Sequence, residues 1–291
     1  MSEKFKLGIV GYGFVGKAVD YGFTHRHVEK FYCDPKEGTN IDQLTAWQPN
    51  AVFVCAPTPM NIDGSINSTI VEDAVLKLLQ HTDCLIIVKS TIIPSIVQRI
   101  TMTARMQDAE ERVVYNPEFL TENSALEQFV RSKLTIFGGV PEAVNSAEWL
   151  YNTFSSVAFD RVIKVPAVEA AFIKYGINSY LATKVTFMNQ FHDMVDEFGA
   201  DYNMVMKAME CDERIGTSHN RVPGPDGKQG FGGACFPKDT LAITKTTKKL
   251  TLLEECIRIN NEYRSQYELD EREKSNNVNY GQTKEEQQDK D

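Results

Sequence analysis

Gly11-Tyr12-Gly13-Phe14-Val15-Gly16 stands between the strand-like run Lys6-Leu7-Gly8-Ile9-Val10 and the segment Lys17 to Phe23, which continues as a helix. Strand, glycine turn and helix in that order constrain the chain to a parallel βαβ unit. The first glycine makes the tight turn, the second lets the backbone approach a pyrophosphate, and the third allows close helix packing, with the helix N-terminus facing the anion. Asp34 ends the next strand candidate, 18 residues past Gly16. A carboxylate there binds both ribose hydroxyls of NAD and repels the extra phosphate of NADP. Gly11, Tyr12, Gly13, Phe14, Val15, Gly16 and Asp34 are therefore candidate NAD-binding residues, with Lys36 read as a solvated surface lysine. The competing reading, a glycine-rich turn that binds nothing, leaves the acid in that place unexplained.

Up to about residue 165, short β-branched runs (KLGIV, KFYCD, AVFVCAP, LIIVKST, RVVYNPE, LTIFGG) alternate with amphipathic stretches. That alternation indicates a parallel sheet covered by helices. Ile70, Val71, Ala74, Val75, Leu78 and Leu79 recur at helical spacing behind Asn67 and Ser68, which predicts a crossover helix. After Val165-Pro166 strand signals stop, a long helical stretch runs from 167 to about 210, and a Gly- and Pro-rich loop, Gly216 to Gly233, interrupts before a second helical stretch. The fold class expected is α/β: an N-terminal Rossmann-type doubly wound sheet over 1–165, then an all-helical domain over 166–267. Residues 268–291 carry eight acidic and four basic side chains with almost nothing apolar, which reads as a disordered tail.

A formal net charge of -9 has the wrong sign for a phosphate-backbone binder, so no nucleic-acid partner is expected. The apolar runs fall far short of the ~20 residues that span a bilayer, so no membrane partner is expected either. The N-terminus lacks a signal-peptide pattern, giving a cytoplasmic expectation. The six cysteines show no C-x-x-C pairing, so neither a metal site nor a disulfide framework is indicated.

Cys235 differs from the other five. It follows the run Gly230-Phe231-Gly232-Gly233-Ala234 and precedes Phe236-Pro237-Lys238-Asp239, with the proline suited to a first helical turn. A thiol near a helix N-terminus with Lys238 nearby is shifted toward thiolate from a pKa of about 8.5. Cys235 is the candidate nucleophile, whereas Cys33, Cys55, Cys84, Cys211 and Cys256 read as small buried hydrophobes.

These residues resemble the UDP-glucose and GDP-mannose dehydrogenase family, whose active-site cysteine lies in a G-F-G-G-x-C-x-P-K-D motif matched here at 230–239. Further blocks match in order: GYGFVG, Ala56 to Pro59, Lys89-Ser90-Thr91, Asn116 to Leu120, Lys174 with Asn178, and Arg214-Ile215-Gly216. The resemblance implies oxidation of a nucleotide sugar C6 alcohol to the carboxylate with two NAD+, UDP-glucose first among the substrates. It makes Cys235 the residue that forms a thiohemiacetal and then a thioester, and Glu118 the base for the hydrolytic water. Thr91 and Asp239 hold that water, and Lys174 with Asn178 stabilise the oxyanions. On the cofactor side it adds Thr58, Thr91, Glu122 and Lys238. On the substrate side it adds Glu118, Phe119, Leu120, Lys174, Asn178, Arg214, Phe231, Gly232 and Gly233, with Arg214 reaching a neighbouring subunit's substrate. A homodimer or higher homo-oligomer through the long helix is also implied.

The bland readings stay beside these. Glu118 and Glu122 are four apart and equally suit a solvated helix start, and Lys174 suits a lysine snorkelling above Ile173, Ile177 and Leu181. His219, Arg221 and Lys228 lie in the Pro/Gly loop, as anion contacts or as solvated residues. Departures from the family pattern are Asn123, Leu134 and the expected lack of a third, nucleotide-gripping domain. The substrate is then a nucleotide sugar held by the Pro/Gly loop, a smaller sugar, or one gripped by another chain's domain. Two other functional classes remain. A two-electron β-hydroxyacid dehydrogenase shares the layout but has no use for the thiol, and a non-catalytic NAD-binding subunit would bind cofactor without turnover.

Overall fold

The structure is a computed structural model that describes residues 4–121 and 124–281. The chain divides into two compact units: residues 1–58 with 67–174, and 59–66 with 175–291.

The first unit is built on β1 (Phe5–Val10), β2 (Val28–Cys33), β3 (Ala51–Val54), β4 (Leu85–Val88), β5 (Val113–Tyr115), β6 (Arg131–Ser132), β7 (Thr135–Gly138), β8 (Ala158–Phe159) and β9 (Val162–Val165). Its helices are α1 (Phe14–Gly22), α2 (Ile41–Ala46), α3 (Thr69–His81), α4 (Pro94–Met106), α5 (Ala125–Val130) and α6 (Pro141–Phe154). Seven strands form one sheet in the order β2-β1-β3-β4-β5-β7-β9, and β6 pairs with β8 apart from it. All pairings in the main sheet are parallel except β5 with β7, which is antiparallel. The continuous apolar runs have their reason here: β3 and β7 are buried along their whole length, because helices cover both faces. One face carries a core around Val52, Val54, Ile86, Val88 and the helices α3 and α4. The other carries Ile9, Phe53, Ile87, Phe137 and Tyr151 with α1 and α6.

The strand order reverses between β1 and β3. Chain connections leave in opposite directions there, and a crevice opens at the carboxyl ends of the two strands. The Gly11 turn after β1 and the Cys55-Ala56 turn after β3 meet at that point.

The second unit holds most of α7 (Ala167–Glu197), then α8 (Tyr202–Met209), α9 (Phe236–Thr246), α10 (Thr251–Arg264) and α11 (Glu271–Ser275). The predicted helix over 167–210 is two helices. Gly199 takes a positive φ of 67°, and the Asp201 side chain then caps α8 by accepting from Asn203 N and Met204 N. Met188, Val195, Tyr202, Met206 and Val222 form a core within this unit.

Two expectations need correction. The division falls at 174/175 rather than 165/166, because Ala167, Ala170 and Ala171 at the start of α7 pack into the sheet's core. The expected tail is ordered over 268–281: Asp270 and Glu273 form a capping box that starts α11, and Glu273, Val278 and Tyr280 are buried. Composition counted eight acids as solvated, whereas Glu273 has an arginine, a tyrosine and a backbone N–H around it. Residues 282–291 lie outside the described part. Among the described residues no helix is long and apolar enough to cross a membrane.

Candidate active site

The turn after β1 is shaped by steric exclusion. Gly11 has a φ of 86°, and a Cβ on it would lie 2.7 Å from the Cys55 carbonyl oxygen. A Cβ on Gly16 would lie 2.1 Å from the Gly11 oxygen, so the first turn of α1 packs directly on the loop. Gly13, the N-cap of α1, has open space where its side chain would be. Asp34 faces the same turn, since Tyr12 N donates to its Oδ2 at 2.7 Å and Lys36 N to its Oδ1 at 2.9 Å. Those backbone donors, Tyr12 first, hold the Asp34 carboxyl below its ordinary value. Tyr12 is fixed in turn by its hydroxyl, which donates to Asp20 at 2.6 Å. The carbon-free face at Gly13, the helix start and the fixed carboxylate fit a dinucleotide. Phe14 and Val15 sit in the first turn of α1, half-buried. Thr58 is buried and donates to the Thr91 carbonyl at 3.1 Å, tying together the turns after β3 and β4.

Glu118 and Lys174 meet within the first unit. Lys174 Nζ donates to the Glu118 carbonyl at 2.6 Å and contacts Glu118 Oε1 at 3.4 Å, above the Phe119 ring. Glu118 Oε2 accepts from Leu120 N at 2.5 Å. Glu118 is 7% exposed and Lys174 3%, so neither is a solvated surface charge. The residues expected to be buried beside Lys174, namely Ile173, Ile177 and Leu181, are only half-buried, and α7 turns Lys174 and Asn178 inward instead. Glu122 lies outside the described residues.

Behind Glu118 lies a cluster to which the sequence reading gave no role. Lys89 donates to the Asn116 carbonyl at 3.2 Å and to Oδ1 at 3.0 Å, and the Tyr151 hydroxyl donates to the same Oδ1 at 2.8 Å. Burial pushes the Lys89 ammonium down to about 8, against the pull of Cys55 and Glu118. A cavity of about 30 Å³ lies among Lys89, Asn116, Glu118, Phe129 and Tyr151. The only signal available was that Lys89 and Asn116 sit inside matched blocks.

In the second unit Cys235 is half-buried and is the N-cap residue of α9, with Pro237 in the first turn. One turn on, Asp239 is 1% exposed. It accepts from Asn178 Nδ2 at 2.7 Å and from Lys238 Nζ at 2.6 Å. The structure thus assembles Asn178, Lys238 and Asp239 at the start of the thiol's helix. Lys238, expected on the cofactor, spends its charge on Asp239. Arg214 is not drawn in: its side chain is 88% exposed and pairs with Asp212. Arg221 is exposed, His219 has a φ of 62° with its ring 5.6 Å from Phe236, and Lys228 donates to the Glu268 carbonyl. Phe231 is buried, Gly232 and Gly233 are half-buried, and Gly233 N donates to Glu273 Oε1 at 3.1 Å.

Residues 38–155 match the model of the NAD binding domain of the UDP-glucose/GDP-mannose dehydrogenase family. Residues 168–262 match the model of its central domain. The chain belongs to this family. Among UDP-glucose/GDP-mannose dehydrogenase relatives, a UDP-glucose 6-dehydrogenase of Rickettsia bellii is 35% identical over 219 residues, 73% of this chain and 49% of the relative. A Bacillus subtilis UDP-glucose 6-dehydrogenase is 29% identical over 224 residues, 74% of this chain and 49% of the relative. The chain spans about half the length of the curated relatives it matches. A solved UDP-glucose dehydrogenase from Pyrobaculum islandicum superposes with a TM-score of 0.74 at 26% identity, covering 90% of this chain and 69% of the other. A Mycobacterium tuberculosis 3-hydroxyisobutyrate dehydrogenase superposes with a TM-score of 0.69 at 14% identity, covering 95% and 97%, a likeness of fold alone. The glycine turn and Asp34 precede the matched span of the NAD binding domain, so their assignment rests on the geometry above.

Proposed function

We propose that this chain oxidises the C6 primary alcohol of a nucleotide sugar, UDP-glucose first, to the carboxylate through a thioester on Cys235. The observation that carries the proposal is the thiol at the N-cap of α9 with a buried, doubly hydrogen-bonded Asp239 one turn on. The glycine turn and Asp34 would hold NAD+, and a bound NAD+ would accept one hydride in each of the two oxidations.

The protein's own groups do the rest. Loss of a hydride and the hydroxyl proton oxidises the alcohol to an aldehyde; Cys235 Sγ adds to its carbonyl carbon, and the thiol proton passes to the resulting alkoxide oxygen, forming a thiohemiacetal. Loss of the second hydride and a proton leaves a thioester. Glu118 takes a proton from the water that adds to it, and the carbon–sulfur bond breaks to return the thiol and a carboxylate. The ammonium of Lys174 and the amide of Asn178 stabilise the oxyanions, with donors of this kind worth about 2.7–4 kcal/mol each. Asp239 orients the Asn178 amide, and with Thr91 it holds water. Tyr180, Phe187 and Met194, seven residues apart on α7 and 66%, 55% and 48% exposed, are taken as the face for a second copy of the chain.

The test counts NADH per carboxylate with UDP-glucose, using Cys235→Ala as control. Two NADH per carboxylate, lost in the variant, support the reading. One NADH per product, untouched by the substitution, would instead establish a two-electron dehydrogenase. No turnover while NAD raises the Tm would establish a binding subunit.

A further inference from the structure

The loop that carries Cys235 is anchored at successive points, all within the second unit. Asn189 Oδ1 accepts from Gly230 N at 3.0 Å. Asn260 closes a two-way pair on Phe231, accepting from its N–H at 2.6 Å and donating to its carbonyl at 3.0 Å. Glu273 Oε1 accepts from Gly233 N at 3.1 Å. Further back, Asp226 pairs with Arg264 at 2.7 Å.

Arg264 and Glu273 are 1% and 0% exposed and meet at 2.6 Å. The Tyr280 hydroxyl donates to the same Glu273 oxygen at 2.8 Å. The peptide at Gly232 lies against this pair: a Cβ there would fall 2.2 Å from Arg264 Nη2 and 2.5 Å from Glu273 Oε1. A buried ion pair is a poor way to join two helices, since a well-packed apolar pair of equal volume often does as well or better. What an apolar pair lacks is an acceptor for the Gly233 N–H and a flat polar surface for Gly232. Gly230 and Gly233 both take positive φ, 74° and 79°, and a run of glycines left to itself samples many conformers.

We propose that Glu273, on the segment 268–281, is a positioning residue for the Cys235 thiol, with Arg264 as its partner. The proposal rests on Cys235 being the nucleophile. The carboxylate fixes Gly233, two residues before the thiol, and so sets where the sulfur stands when the aldehyde carbon is presented.

The experiment compares the full-length wild type with Glu273→Ala, Glu273→Gln and Tyr280→Phe. Hydrogen–deuterium exchange of the peptide containing 230–235 is the first readout, with a peptide from α8 as internal reference. Steady-state kinetics with UDP-glucose and NAD+ is the second. Expected for Glu273→Ala are a rise of about tenfold or more in exchange of the thiol loop, an unchanged reference peptide, and a kcat about tenfold lower with KM for NAD+ unchanged. Glu273→Gln, which keeps an oxygen for the Gly233 N–H, restores part of both, and Tyr280→Phe falls between it and wild type. Should Glu273→Ala not fold, the Gln and Phe variants carry the same comparison. Unchanged loop exchange, or exchange rising equally in α8, overturns the anchoring. A wild type without Cys235-dependent turnover overturns the nucleophile reading and with it the catalytic part of the proposal, whatever the loop exchange shows.

Discussion

Lys89→Met tests the physics of the cluster behind Glu118. Lys89 is 4% exposed, its ammonium donates only to Asn116 among the contacts described, and its proton is released at about 8 rather than 10.5. The folded pKa lies below the unfolded one, so the unfolded chain binds the proton more tightly between those values. Stability therefore rises as pH climbs from about 8 to 10.5, and the cost of burying the charge is fully present below pH 8. A gap of ~2.5 units corresponds to roughly 3 kcal/mol in all, of which linkage recovers about 1 kcal/mol between pH 7.5 and 9. The comparison with the variant matters, because burial pushes the thiols of Cys33 and Cys84 up to about 11 and that of Cys55 to about 12. Their stabilisation falls away as pH rises above the ordinary thiol pKa of about 8.5, inside this window, but it does so in wild type and variant alike. Urea unfolding followed by tryptophan fluorescence isolates the right unit, since the chain's two tryptophans, Trp47 and Trp149, both belong to the first. Methionine keeps the aliphatic volume and loses the titration, and Tyr151 still donates to Asn116 Oδ1. Between pH 7.5 and 9 the wild type is expected to gain about 1 kcal/mol relative to the variant. Parallel curves would show that Lys89 titrates as an ordinary lysine and that the burial argument is wrong.

Two other substitutions probe the remaining groups. Gly16→Ala places a methyl 2.1 Å from the Gly11 oxygen; it should cost about 1–3 kcal/mol of stability and abolish the rise in Tm that NAD produces, both read from thermal melts with and without cofactor. Asn178→Ala removes one of the two side-chain donors found on buried Asp239 and the oxyanion donor proposed above. A fall of about 10²–10³ in kcat is expected from initial rates of NADH formation, and a fall under tenfold would take Asn178 out of the chemistry.

The sheet was readable because its strands are buried on both faces. Ala51 to Val54 and Leu85 to Val88 are apolar runs bounded by turn residues, and nothing polar interrupts them. β9 lacks such a run for the converse reason: it is the edge strand, Ile163 is 41% exposed, and Lys164 is exposed as well. Periodicity on α7 pointed to the wrong neighbours. It assumes that apolar residues go inward, and on this helix Lys174 and Asn178 are the deep ones. Glu118, which Lys174 contacts, is 56 residues away in sequence, so no spacing rule can find the pair, and the family resemblance places both residues in the site without pairing them. The ordering of 268–281 was hidden because composition averages charge over a segment. The D-x-x-E pattern of Asp270 and Glu273 was present as a local helix-start signal.

The distribution of buried charge argues for the site without reference to relatives. Exposed ion pairs such as Lys77 with Asp42 contribute little to stability. Three pairs among the described residues have both side chains under a tenth exposed: Lys174 with Glu118, Lys238 with Asp239, and Arg264 with Glu273. Desolvating such ions costs several kcal/mol each, and apolar substitutes commonly stabilise as well. Stability alone therefore gives no reason for three of them. Each also holds something a hydrophobic pair would release: Lys174 fixes the Glu118 backbone and carboxylate, Asp239 fixes the Asn178 amide, and Glu273 fixes the Gly233 peptide. Replacing any one pair by apolar residues of like volume should thus leave the fold standing while the groups it held lose their orientation. That outcome separates a fold that tolerates buried charge from one that uses it.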